Sequence, residues 1–224
     1  MKILSLRNII KLEQVEHVRN EKKILARVNH PFLLSLEWSS VDSNYLYLLL
    51  PYVSGGELFS YLRSARQFSI STTLFYSAEI VSALEYLHTL SIAYRDLKPE
   101  NILLDKEGHI VITDFGFSKE VTTRAWTQCG TPDYMAPEII LGIGHTMAVD
   151  WWALGVLIFE MMVGHPPFSD NILGVYDNIL MGRIQWPSSL DRIAKDLIQK
   201  LLIQDTARRL GSSGTGSQDV KNHK

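Results

Sequence analysis

Eight consecutive residues, Tyr94-Arg95-Asp96-Leu97-Lys98-Pro99-Glu100-Asn101, constrain this chain more than any other stretch. Pro99 has no N–H and clashes with a preceding helical turn, so the segment is predicted to be a shaped loop carrying Asp96, Lys98 and Asn101. Loops held on a rigid scaffold are where chemistry concentrates. After Asn101 come Ile102-Leu103-Leu104, a turn at Asp105-Lys106-Glu107-Gly108, and His109-Ile110-Val111-Ile112-Thr113, which together read as a β-hairpin.

A hairpin returns the chain to its origin. Asp114-Phe115-Gly116 is therefore expected near Asn101, within one or two strand spacings of about 5 Å. An amide oxygen from Asn101 and a carboxylate from Asp114 suit Mg²⁺, which keeps some waters and takes further ligands from substrate phosphates. Asp96 is then left to act as a base. An isolated aspartate beside a turn is usually only a cap. The joint arrangement of the three polar residues argues against that reading.

Tyr94 to Asn101, then Asp114-Phe115-Gly116, then Ala136-Pro137-Glu138 resemble, in that order, the catalytic loop, magnesium loop and activation-segment end of eukaryotic Ser/Thr protein kinases. Gly55-Gly56-Glu57-Leu58-Phe59, Trp126 to Pro132 and Val149-Asp150-Trp151-Trp152-Ala153 are similar to the AGC group, in particular the cAMP-dependent catalytic subunits and their X-linked relatives. The resemblance runs nearly the whole chain. It implies an α+β, bilobal fold, with a small antiparallel β lobe and helix at 1–50, a hinge at 51–56 and a larger, mainly helical lobe at 57–224.

The resemblance also implies roles. Asp96 would accept the substrate hydroxyl proton and Lys98 would steady the γ-phosphate of ATP, while Asn101 and Asp114 hold Mg²⁺. Lys2, Glu21, Pro51, Val53, Leu103 and Thr113 match the ATP site, with the Pro51 carbonyl and Val53 amide meeting adenine. Glu57, Glu100 and Glu160 match carboxylates that select arginine ahead of the target residue. Thr127 matches a phosphorylated threonine, and His17, Arg95 and Lys119 its basic pocket. Glu138 is similar to the partner of the arginine near Arg209. Lys98 favours Ser/Thr over Tyr substrates, and Phe117 favours serine. The partners implied are proteins with basic residues before the target Ser/Thr, with a regulatory subunit or an upstream kinase as further candidates.

Residues 8–28 are predicted to form one helix whose stripe of Val15, Val18, Leu25 and Val28 also holds Glu21. An inward carboxylate wants a cation, and Lys2 on the first strand is the candidate. Phe32–Trp38 and Tyr45–Leu50 are predicted strands. A helix with a buried stripe of Leu74, Ala78, Val81, Leu84 and Leu87 delivers the catalytic loop. The helix after Asp150 is expected at the centre of the large lobe, with further helices at Leu173–Met181 and Leu190–Leu202.

The bulk properties agree with an intracellular globular protein. The 224 residues are 46% hydrophobic, enough for a core. Lys and Arg total 22 against 24 Asp and Glu, without a basic block, so neither nucleic acid nor a membrane is an implied partner. Cys129 is the single cysteine, which fits a packed thiol in a reducing compartment. Arg7 interrupts the N-terminal apolar residues too early for a signal peptide, and Trp151–Phe159 is too short to span a bilayer. The expected address is cytoplasmic, with the nucleus as a second. Gly211–Ser217 reads as a flexible loop.

Several positions depart from the resemblance. Gln128 replaces the usual leucine near the pocket for the residue after the target. His165 and Ser169 stand where relatives present aromatics to an inhibitory partner. No Gly-x-Gly-x-x-Gly precedes Lys2, and the aromatic tail that relatives wrap on the small lobe does not follow Lys224. The expectation is a kinase core clipped at both ends. The competing reading is a catalytically weak or inactive kinase acting as a binding protein.

Overall fold

The chain begins with β1 (Lys2–Ser5), whose alternating residues pair antiparallel with a later strand, Lys2 opposite Leu48 and Ser5 opposite Tyr45. The computed structural model describes residues 1–168, 172–213 and 216–224, so Ser169 and two residues of the Gly211–Ser217 loop lie outside the described residues. Two helices follow, α1 (Leu6–Lys11) and α2 (Val15–Arg27), where one was predicted. The break falls at Glu13, which adopts a left-handed φ of 55°. A helix cannot pass through that conformation. Of the predicted stripe, Glu21, Leu25 and Val28 are buried and Val15 and Val18 half-buried, and Ile24 joins it.

The predicted strand over Phe32–Trp38 is not formed. Strand β2 starts only at Trp38 and runs to Val41, and β3 spans Tyr45–Leu49 between it and β1. The preceding stretch spends its main-chain bonds elsewhere: Phe32 O accepts from Ile112 N, Leu34 N donates to Ile112 O, and Leu36 N donates to Leu25 O. Its apolar residues thus stitch the small lobe to the large one instead of extending a sheet.

After the irregular stretch at 51–56, α3 (Leu58–Ala65) and α4 (Ile70–Thr89) open the large lobe. Ser69 caps α4, its Oγ accepting from Thr72 N at 3.1 Å. The buried face of α4 is Thr73, Ser77, Ile80, Val81, Leu84 and Leu87. Leu74 and Ala78, predicted to lie on that face, are exposed. Hydroxyl residues occupy the inward positions of the first two turns, and the stripe is therefore rotated from the purely apolar phase.

β4 (Ile92–Ala93) leads to the loop at 94–101, and the predicted hairpin follows as β5 (Ile102–Leu104) and β6 (Ile110–Ile112), with Ile102 opposite Ile112. Gly108 closes its turn at φ 90°. β7 (Lys119–Glu120) pairs with β4, and short α5 (Pro137–Ile140) ends the segment that follows.

Helix α6 (Ala148–Val163) is the axis of the large lobe. Every residue from Ala148 to Met161 is buried, as expected of a helix that is apolar on all sides but for Asp150 and Glu160. Trp152 stacks on Phe168 at 5.6 Å between centroids. Helices α7 (Ile172–Met181), α8 (Arg192–Leu201) and α9 (Ser217–Lys221) complete the lobe. Gly155 lets α8 come close, since a Cβ there would lie 2.9 Å from Leu201 Cβ. Among the described residues no helix is long and apolar enough to cross a membrane.

Candidate active site

The centre of the site is a carboxylate surrounded by donors. Asp96 is buried, and Asn101 Nδ2 donates to its main-chain oxygen at 2.9 Å and to its Oδ2 at 2.7 Å. Lys98 Nζ lies 3.2 Å from the same Oδ2 and donates to Thr131 Oγ1 at 2.9 Å. Thr131 in turn donates to Asp96 Oδ1 at 3.3 Å. The three loop residues singled out in the sequence thus form one network. Thr131, which was read only as part of an activation-segment motif, joins it.

The hairpin brings the next loop alongside. Thr113 N and Oγ1 both donate to Asn101 O, at 2.9 and 3.1 Å, so Asp114 lies one residue past a direct tie to the 94–101 loop. Asp114 takes φ 52° and accepts from Gly116 N at 3.1 Å. Arg95 takes φ 69°. Left-handed conformations at such residues cost about 1–3 kcal/mol each and persist only where the surroundings impose them.

What imposes the one at Arg95 is Asp150, a carboxylate with no solvent exposure in the first turn of α6. Its Oδ1 accepts from Arg95 N at 2.8 Å and its Oδ2 from Tyr94 N at 2.9 Å, with His88 Nε2 2.8 Å from Oδ2. Sequence reading placed Asp150 in the core without this role. The available signal was an acid between Val149 and Trp151 in a helix whose only other charged residue is Glu160. Tyr94 adds a second tie through its hydroxyl to Thr113 O at 2.5 Å. Burial, reinforced by Asp96 and Asp114, holds that phenol well above its usual pKa, so it remains a donor.

The residues matched from sequence to the ATP site lie on β1, α2, the 51–56 stretch and the β5–β6 hairpin with the residue after it. Lys2 Nζ meets Glu21 Oε1 at 2.7 Å, joining β1 to α2. The exposed stretch at 51–56 is tied down by Gly55 N to Leu104 O and Leu104 N to Gly56 O. Among the described residues the Pro51 carbonyl and the Val53 amide have no main-chain partner. Leu103 and Thr113, both half-buried, flank the catalytic loop on the hairpin. Asn101 uses Nδ2 on Asp96, so its Oδ1 faces no protein donor among the described residues, and only Oδ1 of Asp114 is engaged. An amide oxygen and a carboxylate are the donor set a hard divalent cation takes when phosphates complete its shell. No group of three or more His, Cys, Asp or Glu side chains could hold a metal among the described residues, so a protein-only cage is not formed.

A second cavity, of about 370 Å³, is lined by His17, Arg95, Lys119 and Thr127 together with Glu16, Asn20 and Phe117. All four residues assigned from sequence to the phosphate pocket meet there. Arg95 Nε donates to Phe117 O at 2.7 Å, and its NH1 lies 3.2 Å from Nε2 of His145. His145 is buried, and desolvation followed by the Arg95 charge pushes its pKa down to about 4. Its neutral ring is therefore the acceptor. Burial likewise raises the Cys129 thiol.

The carboxylates expected to read arginine differ. Glu57 and Glu100 are exposed, whereas Glu160 is buried, with Arg63 NH2 at 2.7 Å from Oε1 and the Tyr134 hydroxyl on Oε2. Desolvation, opposed by Arg63 and reinforced by Glu100, raises the Glu160 pKa to about 7. The Glu138 carboxylate grips Arg209 through two bonds, at 2.7 and 2.9 Å, both side chains buried.

A small antiparallel sheet with two helices, the irregular stretch at 51–56, and a helical lobe carrying this loop and hairpin define a protein kinase. Residues 1–224 match the family described as protein kinase domain, and the chain belongs to it. Within it, the chain is 58% identical over its whole length to the cAMP-dependent protein kinase catalytic subunit 3 of Drosophila melanogaster, 39% of which it covers. It is 57% identical to the cAMP-dependent protein kinase catalytic subunit PRKX of Homo sapiens, again along all of this chain and 63% of that one. It is 55% identical to the cAMP-dependent protein kinase catalytic subunit of Dictyostelium discoideum, of which it covers 35%. The chain therefore spans between about a third and two thirds of the length of these relatives.

Proposed function

We propose that the chain is the core of an AGC-type Ser/Thr protein kinase that transfers the γ-phosphate of ATP to Ser or Thr preceded by arginines. The observation that carries this is the Asp96 network: a buried carboxylate oriented by Asn101, Lys98 and Thr131, one hydrogen-bonded link from Asp114. Phosphoryl transfer asks the protein mainly for positioning and charge neutralisation. Asp96 accepts the proton of the incoming hydroxyl, and Lys98, held beside it, faces the transferring phosphate. Glu21 keeps Lys2 extended for the nucleotide phosphates. The Pro51 carbonyl and Val53 amide meet adenine. A Mg²⁺ bound by Asn101 and Asp114 would neutralise charge on the phosphates.

Phosphorylation of Thr127 would place two negative charges in the cavity with Arg95, Lys119 and His17. Arg95 directly precedes Asp96, so that pairing supports the loop that performs the chemistry. Glu57 and Glu100 are open to substrate guanidinium groups, and Glu160 would share its carboxylate between Arg63 and the incoming arginine.

The test is phosphate transfer from ATP–Mg²⁺ to an Arg-Arg-x-Ser peptide, with Asp96→Ala as the blank. Transfer above the blank is expected. Nucleotide binding without transfer would instead assign the chain a binding role.

A further inference from the structure

Helix α2 belongs to the small lobe, yet one of its faces lies along the segment that follows Asp114. His17, Asn20, Lys23 and Arg27 recur at intervals of three and four residues and so share that face. They meet the segment in chain order. The His17 ring packs edge-on to Phe117 at 6.3 Å between centroids, and Asn20 Nδ2 donates to Ser118 O. The last two converge on one carboxylate: Lys23 Nζ lies 3.2 Å from Glu120 Oε2, and Arg27 NH1 lies 3.4 Å from Oε1.

Glu120 is itself fixed to the large lobe. β7 pairs Glu120 with Ile92 and Lys119 with Ala93 on β4, the strand that runs directly into the 94–101 loop, and Val121 N donates to Ser91 O. Lys23 and Arg27 stand one helical turn apart, where like charges repel. A carboxylate with one oxygen on each removes that repulsion and adds two attractions. The Lys23 hydrogen bond, followed by the charges of Lys23 and Arg27, lowers the Glu120 pKa, so the bridge is ionic at neutral pH. Glu21, between Asn20 and Lys23 on the same helix, holds Lys2 Nζ at 2.7 Å, so the seating of α2 fixes where that ammonium stands.

We propose that Glu120 is a positioning residue for the nucleotide end of the site: by bridging Lys23 and Arg27 to β7 it seats α2 on the large lobe, and so aligns the Lys2–Glu21 pair with Asp114 while Thr127 is unmodified. The role of Lys2 rests on the kinase function proposed above; the clamp on α2 does not. Thr127 shares its cavity with His17, in the first turn of α2, whereas Glu120 engages the C-terminal half of the helix. The two ties act at opposite ends. The three side chains of the bridge are 40–67% exposed, so its effect is graded and weakened by salt.

A charge-swap cycle on the full chain, freed of phosphate with a protein phosphatase, tests this. Affinity for ATP–Mg²⁺ is measured by calorimetric titration for the parent, for Glu120→Arg, for Lys23→Glu/Arg27→Glu, and for the three substitutions combined. Each mispaired chain should bind about three- to tenfold more weakly, and the combined chain should return to within about twofold of the parent, with melting temperatures within about 4 °C of one another. Recovery on swapping is what a general loss of stability would not give. Unchanged affinity in Glu120→Arg, or no recovery in the combined chain, overturns the proposal and leaves the kinase reading intact. Should the parent itself not bind ATP–Mg²⁺, the kinase reading fails and amide hydrogen exchange over 15–27 reads the clamp instead. Exchange about threefold or more faster in the mispaired chains and restored in the combined one then supports it, and equal rates overturn it.

Discussion

Replacing Asp150 by Asn keeps the side-chain shape and removes the charge and one acceptor. In the parent the two oxygens serve three donors: Arg95 N at 2.8 Å on one, Tyr94 N at 2.9 Å and His88 Nε2 at 2.8 Å on the other. Asparagine must aim its NH₂ at one of the two loop amides, leaving a buried N–H facing a donor, at about 1–3 kcal/mol. The surviving bonds lose their ionic character, which costs roughly another 1–2 kcal/mol in all, since bonds to charged groups are worth about 1.5–3 against 0.5–1.5 kcal/mol. The expected loss is therefore about 2–5 kcal/mol, or a fall in Tm of roughly 5–15 °C for a chain of this size. Urea unfolding followed by the fluorescence of the neighbouring Trp151 and Trp152 measures it. The left-handed turn at Arg95 depends on this tie, and Asp96 is the next residue. A displacement of about 1 Å there would lower kcat/KM on the order of 100-fold. His88→Phe, which removes one donor of three and leaves both loop bonds, should cost less in both assays. An Asp150→Asn chain within about 0.5 kcal/mol of the parent would refute the claim that this carboxylate holds the loop.

Glu138→Gln should destabilise the chain by about 3–5 kcal/mol, because Arg209 stays fully buried with only carbonyl acceptors; a Glu138→Leu/Arg209→Met double variant should recover most of that in the same urea assay. For His145 the folded-state pKa is depressed, so the unfolded chain takes up the proton first. Its contribution to stability is full above about pH 6.5 and is lost as pH falls toward about 4. His145→Gln should flatten that limb of the stability–pH profile. For Glu160 the folded pKa is raised to about 7 by burial, so the carboxylate that would read arginine becomes fully charged only above neutrality. Discrimination between Arg-containing and Ala-substituted peptides should therefore rise from pH 6 to pH 8, and an Arg63→Met chain, which lacks the internal cation, should shift that rise to higher pH. A flat ratio over the range would count against Glu160 as a reader.

What the sequence showed and what it hid divide along the distance between interacting groups. The hairpin of β5 and β6 was legible because a loop of only five residues joins its strands, and α6 because the unbroken apolar run Trp151–Phe159 needs no partner to be recognised. The Lys2–Glu21 pair was legible only through the kinase resemblance, since an acid on an apolar stripe left an outward-facing Glu21 equally open on spacing alone. The failures have the opposite character. Phe32–Leu36 has strand composition, yet its main-chain partners are Ile112 and Leu25, so no local pattern could show that it bridges the lobes. The inward face of α4 was misjudged because Thr73 and Ser77 occupy it while Leu74 faces out, a choice made by what packs opposite. Nothing around Glu13 marks the break between α1 and α2, since neither glycine nor proline is needed for one left-handed residue. The same limit governs the site. Asp96, Lys98, Asn101 and Asp114 fall within nineteen residues and were read together. The groups that orient or occupy them come from far along the chain: Thr131 on Asp96, Asp150 under Arg95, Arg63 on Glu160. Thr131 is half-buried, Asp150 is buried, and the exposed Arg63 serves the buried Glu160, so each tie answers a desolvation demand. A charged residue in an apolar context is thus a dependable sign that a partner exists, and a poor guide to whether that partner is a substrate or another part of the same chain, as Glu160 and Arg63 demonstrate.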